Sequence, residues 1–162
     1  MGYLRDLLLV VCALLLQSTF GQKLRIGWVV PDFVVLSVLC GALSKGEVWG
    51  TVLGFLGGFF LDIYSPDLFG LNAFSLSIVG FVGGRGRGRV GTEYILVQAG
   101  ACLVAVLLHD GIYFFFLEKG DMLGWLSRML VEALPTALYT AAVGVGILTV
   151  RSLASGRKLI YA

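Results

Sequence analysis

The sequence of 162 residues alternates long apolar runs with short segments that are charged or rich in glycine and proline. Six apolar runs can be delimited, at residues 7–22, 26–43, 48–63, 68–84, 94–117 and 125–150. A helix that crosses a bilayer needs about 20 residues, and each run reaches or approaches that length. The pattern predicts an all-α, polytopic membrane protein with six transmembrane helices in a single integral membrane domain, residues 1–162.

The third and fourth runs, residues 48–63 and 68–84, are short, with 16 and 17 residues. Both are near the lower limit for a membrane crossing. Together they predict a tight helical hairpin that turns at Tyr64-Ser65-Pro66-Asp67. The alternative is a re-entrant element, which enters the membrane and leaves it on the same side.

Composition excludes the water-soluble classes of protein. Apolar residues make up 58% of the chain and charged residues only 14%, whereas soluble proteins carry about 25% charged residues. Six crossings would use about 120 residues, which leaves too little chain for a separate soluble domain. A nucleotide-binding domain, a soluble hydrolase and a nucleic-acid-binding module are therefore excluded, and we expect no nucleic-acid partner.

The distribution of Lys and Arg predicts the orientation, because positively charged flanks stay on the cytoplasmic side during insertion. Eight basic residues lie at the termini and in alternate loops, and three lie on the opposite side. The first set is Arg5, Lys45, Arg85, Arg87, Arg89, Arg151, Arg157 and Lys158, and the second is Lys23, Arg25 and Lys119. We therefore expect both termini in the cytoplasm.

The first apolar run has two interpretations. Arg5 precedes it and small residues occur within residues 17–21, a combination that is typical of a cleaved signal peptide. Acidic Asp6 weakens the positively charged start, and further spans follow, so we favour a retained first helix. The other five spans keep their orientation in both cases.

Glycine supplies 23 of the 162 residues, about twice its usual share of about 7%. Gly50, Gly54 and Gly58 recur at four-residue steps in the third run, so they share one helix face, and Gly80 lies in the fourth run. Small residues allow helix backbones to approach closely in lipid. These four glycines predict either packing within the chain or docking of another membrane protein.

Several ionisable or amide side chains lie inside the predicted spans, where a charge at a helix centre costs about 2.5–3.5 kcal/mol. With the predicted orientation they share one depth in the outer half of the membrane. We call them the polar layer: Asp32, Asp62, Asn72, His109, Asp110, Arg128 and Glu132. A layer this rich in acids requires pairing or protonation to offset its cost.

Arg128 is the expected centre of the polar layer. It precedes Glu132 by four residues, so the two share a helix face, and Asp110 or Asp62 could reach it across the bundle. The layer is then either a closed network that fixes helix register or an outward cavity for a ligand or a partner's helix. An ion pathway is a weaker alternative, because the inner half offers chiefly Gln98 as a further step.

Pro31 and Pro135 predict distortions of the second and sixth helices. Asp32 follows Pro31 directly, and we expect it to cap the resumed helix. The spacing of the polar residues is unlike that of metal ligands, and no nucleophile stands beside a base. We therefore expect no cofactor, no metal and no catalytic residue.

The loop after the fourth run alternates glycine with arginine, at Arg85, Arg87 and Arg89. It resembles a fragment of a phosphate-binding loop, but it lacks the strand and helix context that such loops require. We interpret it as a cytoplasmic basic loop that contacts anionic head groups of membrane lipid, with a cytoplasmic protein partner as the alternative.

The segment from Gly54 to Phe81, GFLGGFFLDIYSPDLFGLNAFSLSIVGF, resembles the central signature of the bacterial rod shape-determining protein MreD family. That signature joins a glycine-bearing helix ending in Leu-Asp, a short turn and a second helix rich in small residues. Pro31-Asp32 and the segment beginning at His109-Asp110 are similar to weaker features of the family. The resemblance implies nothing for Asn72, whose position varies in the family.

The resemblance implies a non-enzymatic subunit of the elongasome, the machinery that builds the lateral peptidoglycan wall and maintains rod cell shape. The implied partners are the bitopic scaffold MreC, the polymerase RodA with its class B penicillin-binding protein, and actin-like MreB on the cytoplasmic side. The implied location is the bacterial inner membrane.

The fold that the resemblance implies is similar to the six-helix substrate-binding subunits, or S components, of energy-coupling-factor transporters. This similarity leaves an alternative function open. In that alternative the chain is a vitamin-type small-molecule binding subunit of a membrane transporter, and the polar layer is its outward-facing pocket.

Overall fold

The computed structural model describes residues 2–155, except residues 22, 26, 28, 66–67 and 89–94. The described residues contain helices and no β-strand, which confirms the all-α class. The first five helices are α1 Gly2–Phe20, α2 Phe33–Lys45, α3 Glu47–Tyr64, α4 Leu71–Arg85 and α5 Ile95–Leu117. A sixth, continuous stretch comprises α6 Met122–Arg128, a π-helical turn Met129–Ala133 and α7 Leu134–Ser155.

Three stretches of the described chain are long and apolar enough to cross a membrane: Gly2–Thr19, Leu96–Leu117 and Met122–Ile147. The other helices are shorter or less apolar. Helices α2, α3 and α4 have 13, 18 and 15 residues, which correspond to about 20, 27 and 22 Å, against a hydrocarbon core of about 30 Å. The chain is thus a helical membrane protein, and the count of six crossings stays a prediction.

Helix α2 lies at the centre of the bundle and contacts α1, α3, α4, α5 and α7. Its buried residues are Val34, Val35, Leu36, Val38, Leu39, Gly41 and Ala42. The same apolar core includes Val10 of α1, Leu53 of α3, Leu76 of α4 and Val106 of α5. One contiguous core therefore joins the first helix to the last.

The second helix begins later than the apolar run predicted. Residues 29–32 are not helical, and α2 starts at Phe33. The ring of Pro31 disfavours the helical conformation of the residue before it, so the helix starts beyond the proline. The distortion predicted at Pro31 is wrong, because Pro31 lies outside any helix.

Pro135 is the second residue of α7 and follows the π-helical turn directly. A proline has no N–H, so the carbonyl four residues earlier, that of Val131, loses its usual donor. A π-helical turn is one of the ways in which a helix accommodates such an interruption. The distortion predicted at Pro135 is therefore present.

Helices α3 and α4 form an antiparallel hairpin whose backbones are in direct contact. A Cβ atom added to Gly50 would lie 2.3 Å from the carbonyl oxygen of Gly80, and one added to Gly54 would lie 2.1 Å from that of Leu76. At Gly58 the added atom would lie 2.4 Å from the backbone of α4. A Cβ added to Gly80 would lie 2.0 Å from the carbonyl oxygen of Gly50.

These four glycine faces are covered by the chain itself. Of the two predicted alternatives, packing within the chain is present. Docking of a partner on Gly50, Gly54, Gly58 and Gly80 is wrong, because these glycines lie between α3 and α4. The physical reason is the absence of a hydrophobic drive between helices in lipid, which makes close van der Waals contact of backbones the main attraction. Of the predicted hairpin turn, Tyr64 ends α3 and Ser65 follows it, whereas Pro66 and Asp67 lie outside the described residues.

We expect Gly54→Ala to destabilise the protein. The added methyl group would lie 2.1 Å from the Leu76 carbonyl oxygen, and overpacking of this kind costs about 1–3 kcal/mol. Gly146→Ala is the matched control, because nothing lies within 4 Å of a Cβ at that position of α7. Thermal unfolding in detergent should show a Tm several degrees lower for Gly54→Ala alone, and equal Tm values would contradict the glycine contact.

Candidate functional site

Asp62, the buried acid near the end of α3, caps the next helix. Helix α4 starts after Gly70, which has no side chain to accept hydrogen bonds from the first N–H groups of the helix. The Asp62 carboxylate accepts them instead, at 3.0 Å from Asn72 N and 3.0 Å from Ala73 N, and it also accepts from Asn72 Nδ2 at 3.1 Å. Its negative charge lies at the positive end of the α4 dipole.

A second buried contact links α4 to α5. The hydroxyl of Ser75 lies 2.8 Å from His109 Nδ1 and 3.2 Å from the backbone oxygen of Asn72. Ser75 is fully buried, and His109 is 6% exposed. Asp62, Asn72, Ser75 and His109 thus form one chain of hydrogen bonds from α3 through α4 to α5.

Asp32 is the N-cap of α2, as the sequence predicted. Its carboxylate accepts from Val34 N and Val35 N at 3.0 Å each. Its own backbone N–H donates to the hydroxyl of Thr140 on α7 at 3.0 Å. Asp32 therefore joins the central helix to the last one, and its polar atoms are used within the chain.

Arg128 forms ion pairs with Glu118 and with Glu132, the latter at 3.0 Å. Its guanidinium also lies 5.8 Å from the ring centroid of Phe114. The predicted pair with Glu132 is present. The predicted approach of Asp62 to Arg128 is wrong, because the Asp62 carboxylate is committed to the start of α4.

Asp110 does not pair with Arg128 either. The carboxylate is half-buried on α5, and among the described residues it forms no hydrogen bond or ion pair. It lies close enough to Asp32 and Glu132 to interact with them electrostatically. Arg128 does not reach Asp110, because its side chain points to Glu118, directly after α5, and not to the middle of that helix.

Arg85 and Arg87 of the basic loop are exposed. Arg85 ends α4, and its side chain lies 3.6 Å from a carboxylate oxygen of Glu47. Arg87 lies in the turn that follows. Arg89, the third arginine of the predicted loop, lies outside the described residues.

An ion pair at the arginine-bearing end of the bundle was missed by the sequence analysis. Lys45 at the end of α2 lies 2.7 Å from the Asp6 carboxylate of α1, and Asp6 is 3% exposed. The indole of Trp49 donates to the same carboxylate at 3.3 Å, and the ring centroid of Tyr3 lies 3.8 Å from Lys45 Nζ. We call this cluster the Asp6–Lys45 pair; it ties together α1, α2 and α3.

Other missed residues are the partners of the predicted ones: Ser75, Glu118 and Thr140. No signal in the sequence marks them, because hydroxyl groups are common in helices and Glu118 follows α5 in a charged turn. The described residues contain no group of three or more His, Cys, Asp and Glu that could hold a metal ion.

Two of the grooves on the surface of the described residues are apolar. One of about 270 Å³ lies between α2, α4 and α5, and one of about 220 Å³ lies between α1 and α3. Neither is lined by a residue of the polar layer. The polar layer therefore does not line these grooves, and all of its members except Asp110 form hydrogen bonds or ion pairs within the chain.

These observations define the class of protein: a helical membrane protein in which buried acids cap helices and pair with neighbouring side chains. The family model described as rod shape-determining protein MreD matches residues 3–149. The chain belongs to this family, whose role is the determination of rod shape, and the resemblance based on residues 54–81 is confirmed. A search of curated proteins and a search of solved structures each found no match.

We expect Asp62→Ala to cost about 2 kcal/mol or more of unfolding free energy, because the N–H groups of Asn72 and Ala73 would be left unpaired in a fully buried site. Asp121→Ala is the matched control. Asp121 caps α6 in the same way, through Leu123 N at 3.2 Å, but in an exposed position, so its loss should be smaller. Equilibrium unfolding in mixed detergent measures both, and equal losses would contradict the capping role.

The Asp6–Lys45 pair should show strong coupling in a double-mutant cycle. Asp6→Leu leaves Lys45 without a carboxylate, and Lys45→Met leaves Asp6 with only the exposed Arg5, at 3.3 Å. Each substitution should cost up to about 3 kcal/mol. The double variant should recover at least half of the summed losses, since no unpaired charge remains.

The control cycle uses Arg85→Gln and Glu47→Gln, an exposed pair at 3.6 Å, where we expect no measurable coupling. Additive effects of the Asp6 and Lys45 substitutions would contradict the role assigned to their contact.

Proposed function

We propose that this protein is a non-enzymatic scaffold of the elongasome, which builds the lateral peptidoglycan wall. Its membership of a rod shape-determining family over residues 3–149 supports this role. The proposed partners are an MreC-like bitopic scaffold, a RodA-type polymerase with its class B penicillin-binding protein, and an actin-like MreB on the cytoplasmic side.

The observation that carries the scaffold role is the use of most of the polar layer in internal contacts. Asp62 caps α4 and accepts from Asn72, His109 bonds to Ser75, and Asp32 caps α2. An outward-facing pocket for a vitamin-type ligand would need these groups to line a cavity, and in the described part of the chain they line neither groove. What remains for recognition is apolar helix surface, which suits packing against the helices of membrane partners.

We propose the α3 aromatic face, formed by Phe55, Phe59, Phe60 and Phe69, as the docking surface for the single helix of the MreC-like partner. Each of these side chains is at least 40% exposed. The rings contact one another, with centroids 6.2 Å apart for Phe55 and Phe59 and 5.8 Å apart for Phe59 and Phe69. Because α3 is held against α4 by its glycines, the backbone that carries Phe55, Phe59 and Phe60 is fixed before binding, which lowers the entropic cost of association.

We propose a single membrane domain with six crossings and with both termini in the cytoplasm of the producing bacterium. Exposed Arg5, Arg85 and Arg87 at one end of the bundle support this orientation. The short helices α2, α3 and α4 would cross where the bilayer is locally thinned. We also propose that the fold is similar to that of the six-helix S components of energy-coupling-factor transporters.

The test is co-purification of the tagged chain with an MreC-like protein in mild detergent. We expect the double variant Phe55→Ala with Phe59→Ala to retain at least about tenfold less partner, since central aromatic residues contribute most of the affinity of an interface. The control is Leu130→Ala with Leu138→Ala, at positions 59% and 53% exposed on the last helical stretch.

Both double variants should keep the Tm of the parent chain, because the four side chains are exposed. Equal partner retention by both double variants would contradict docking on the α3 aromatic face. Absence of any MreC-like protein from the parent purification would contradict the scaffold role itself.

A further inference from the structure

The apolar groove between α2, α4 and α5 has the length of one membrane leaflet. Its lining on α5 begins at Val97 and ends at Leu108, a distance of about 16 Å along the helix at 1.5 Å per residue. The hydrocarbon core is about 30 Å thick, so the groove covers about half of it. Leu39 of α2 and Val79 of α4 form the other walls.

Positively charged residues adjoin the end of the groove along the chain. Gly86, which lines it, is flanked by exposed Arg85 and Arg87. Arg87 lies against Gly46, with Nη1 3.6 Å from the position that a Cβ would take there, and no carboxylate of the described residues pairs with it. Arg85 pairs with exposed Glu47 at 3.6 Å, and its guanidinium lies 5.9 Å from the ring centroid of Phe81. The apolar groove thus ends near Arg85 and Arg87. Among the described residues, only Arg85 has a carboxylate partner.

We propose that this groove binds one acyl chain of an anionic phospholipid, whose phosphate is held by Arg85 and Arg87. Basic side chains at a membrane surface attract anionic head groups, and the groove beside them accepts the hydrocarbon that is joined to such a head group. This lipid site goes beyond the scaffold role and does not depend on it.

The competing occupant is the transmembrane helix of a partner. A helix with its side chains is about 10 Å wide and passes through both leaflets, whereas the groove covers one leaflet and has a volume of about 270 Å³. Its volume is also below the range of pockets for drug-sized ligands, about 300–1,000 Å³. A single acyl chain, which extends through one leaflet, matches its length.

The test is native mass spectrometry of the purified full-length chain with phosphatidylglycerol or phosphatidylcholine of identical acyl chains. We expect one phosphatidylglycerol to be retained, at about tenfold lower lipid concentration than phosphatidylcholine. Glycerol phosphate without acyl chains should not compete; effective competition by it would overturn the role of the groove.

Gly100→Leu tests the groove. Gly100 lines it, and nothing lies within 4 Å of a Cβ added there, so a larger side chain can start at this position and occupy the groove. Retention of both lipids should fall about tenfold. Gly146→Leu is the control, because Gly146 is equally open on α7 but lies outside the groove lining. Equal retention by the two variants, each with a parental or higher Tm, would overturn the proposal.

Arg85→Gln combined with Arg87→Gln tests the head-group contact. The preference for phosphatidylglycerol over phosphatidylcholine should disappear, while retention of phosphatidylcholine stays unchanged. Arg25→Gln is the control, since Arg25 is exposed and donates to the Gly27 carbonyl at 2.7 Å. A preference that survives loss of both arginines would overturn the proposal.

The lipid test is made on the chain alone, so its failure is distinct from failure of the scaffold role. If Gly100→Leu instead releases the MreC-like partner and leaves lipid retention unchanged, the groove is a protein-docking site and the lipid proposal is overturned.

Discussion

Hydrocarbon offers no hydrogen bonds, so each polar group that the chain carries into a bilayer has to find its partner within the protein. Asp62 meets this constraint for the start of α4, where Gly70 leaves the first N–H groups of the helix without a cap. The carboxylate comes within 3.0 Å of those groups because the glycine faces let α3 and α4 approach backbone to backbone. The bond from Ser75 to His109 then attaches α5 to this hairpin. The arrangement of α3, α4 and α5 therefore depends on the Asp62 carboxylate and on the glycines that let α3 and α4 approach each other.

Features that depend on short stretches of sequence could be predicted. Apolar runs gave the positions of the helices, since the length of a run and its flanking charges are local properties. The spacing of Gly50, Gly54 and Gly58 predicted a close-packing face for the same reason. The cap formed by Asp32 and the ion pair from Arg128 to Glu132 connect residues within four positions of each other, so backbone geometry alone brings them together.

Features that depend on how helices rotate against one another could not be predicted. The sequence places Asp62 and Arg128 at a similar depth but does not say that the first faces α4 and the second faces the end of α5. For the same reason the glycine faces could not be assigned to an internal neighbour or to a partner. Lys45 was counted as a loop charge, and its contact with Asp6 joins residues that are far apart in the chain. A predicted depth in the membrane therefore does not tell which neighbouring helix a side chain faces.

In the proposed orientation, Lys45 takes part in two events that are separated in time. While the polypeptide leaves the translocon, an ammonium group beside a nascent span resists transfer across the membrane. After assembly the same group is enclosed by Asp6, Tyr3 and Trp49. A substitution at this residue would act first on the biogenesis of the protein and only later on its folded form. The Lys45 side chain thereby contributes both to the orientation of the newly made chain and to the stability of the folded bundle.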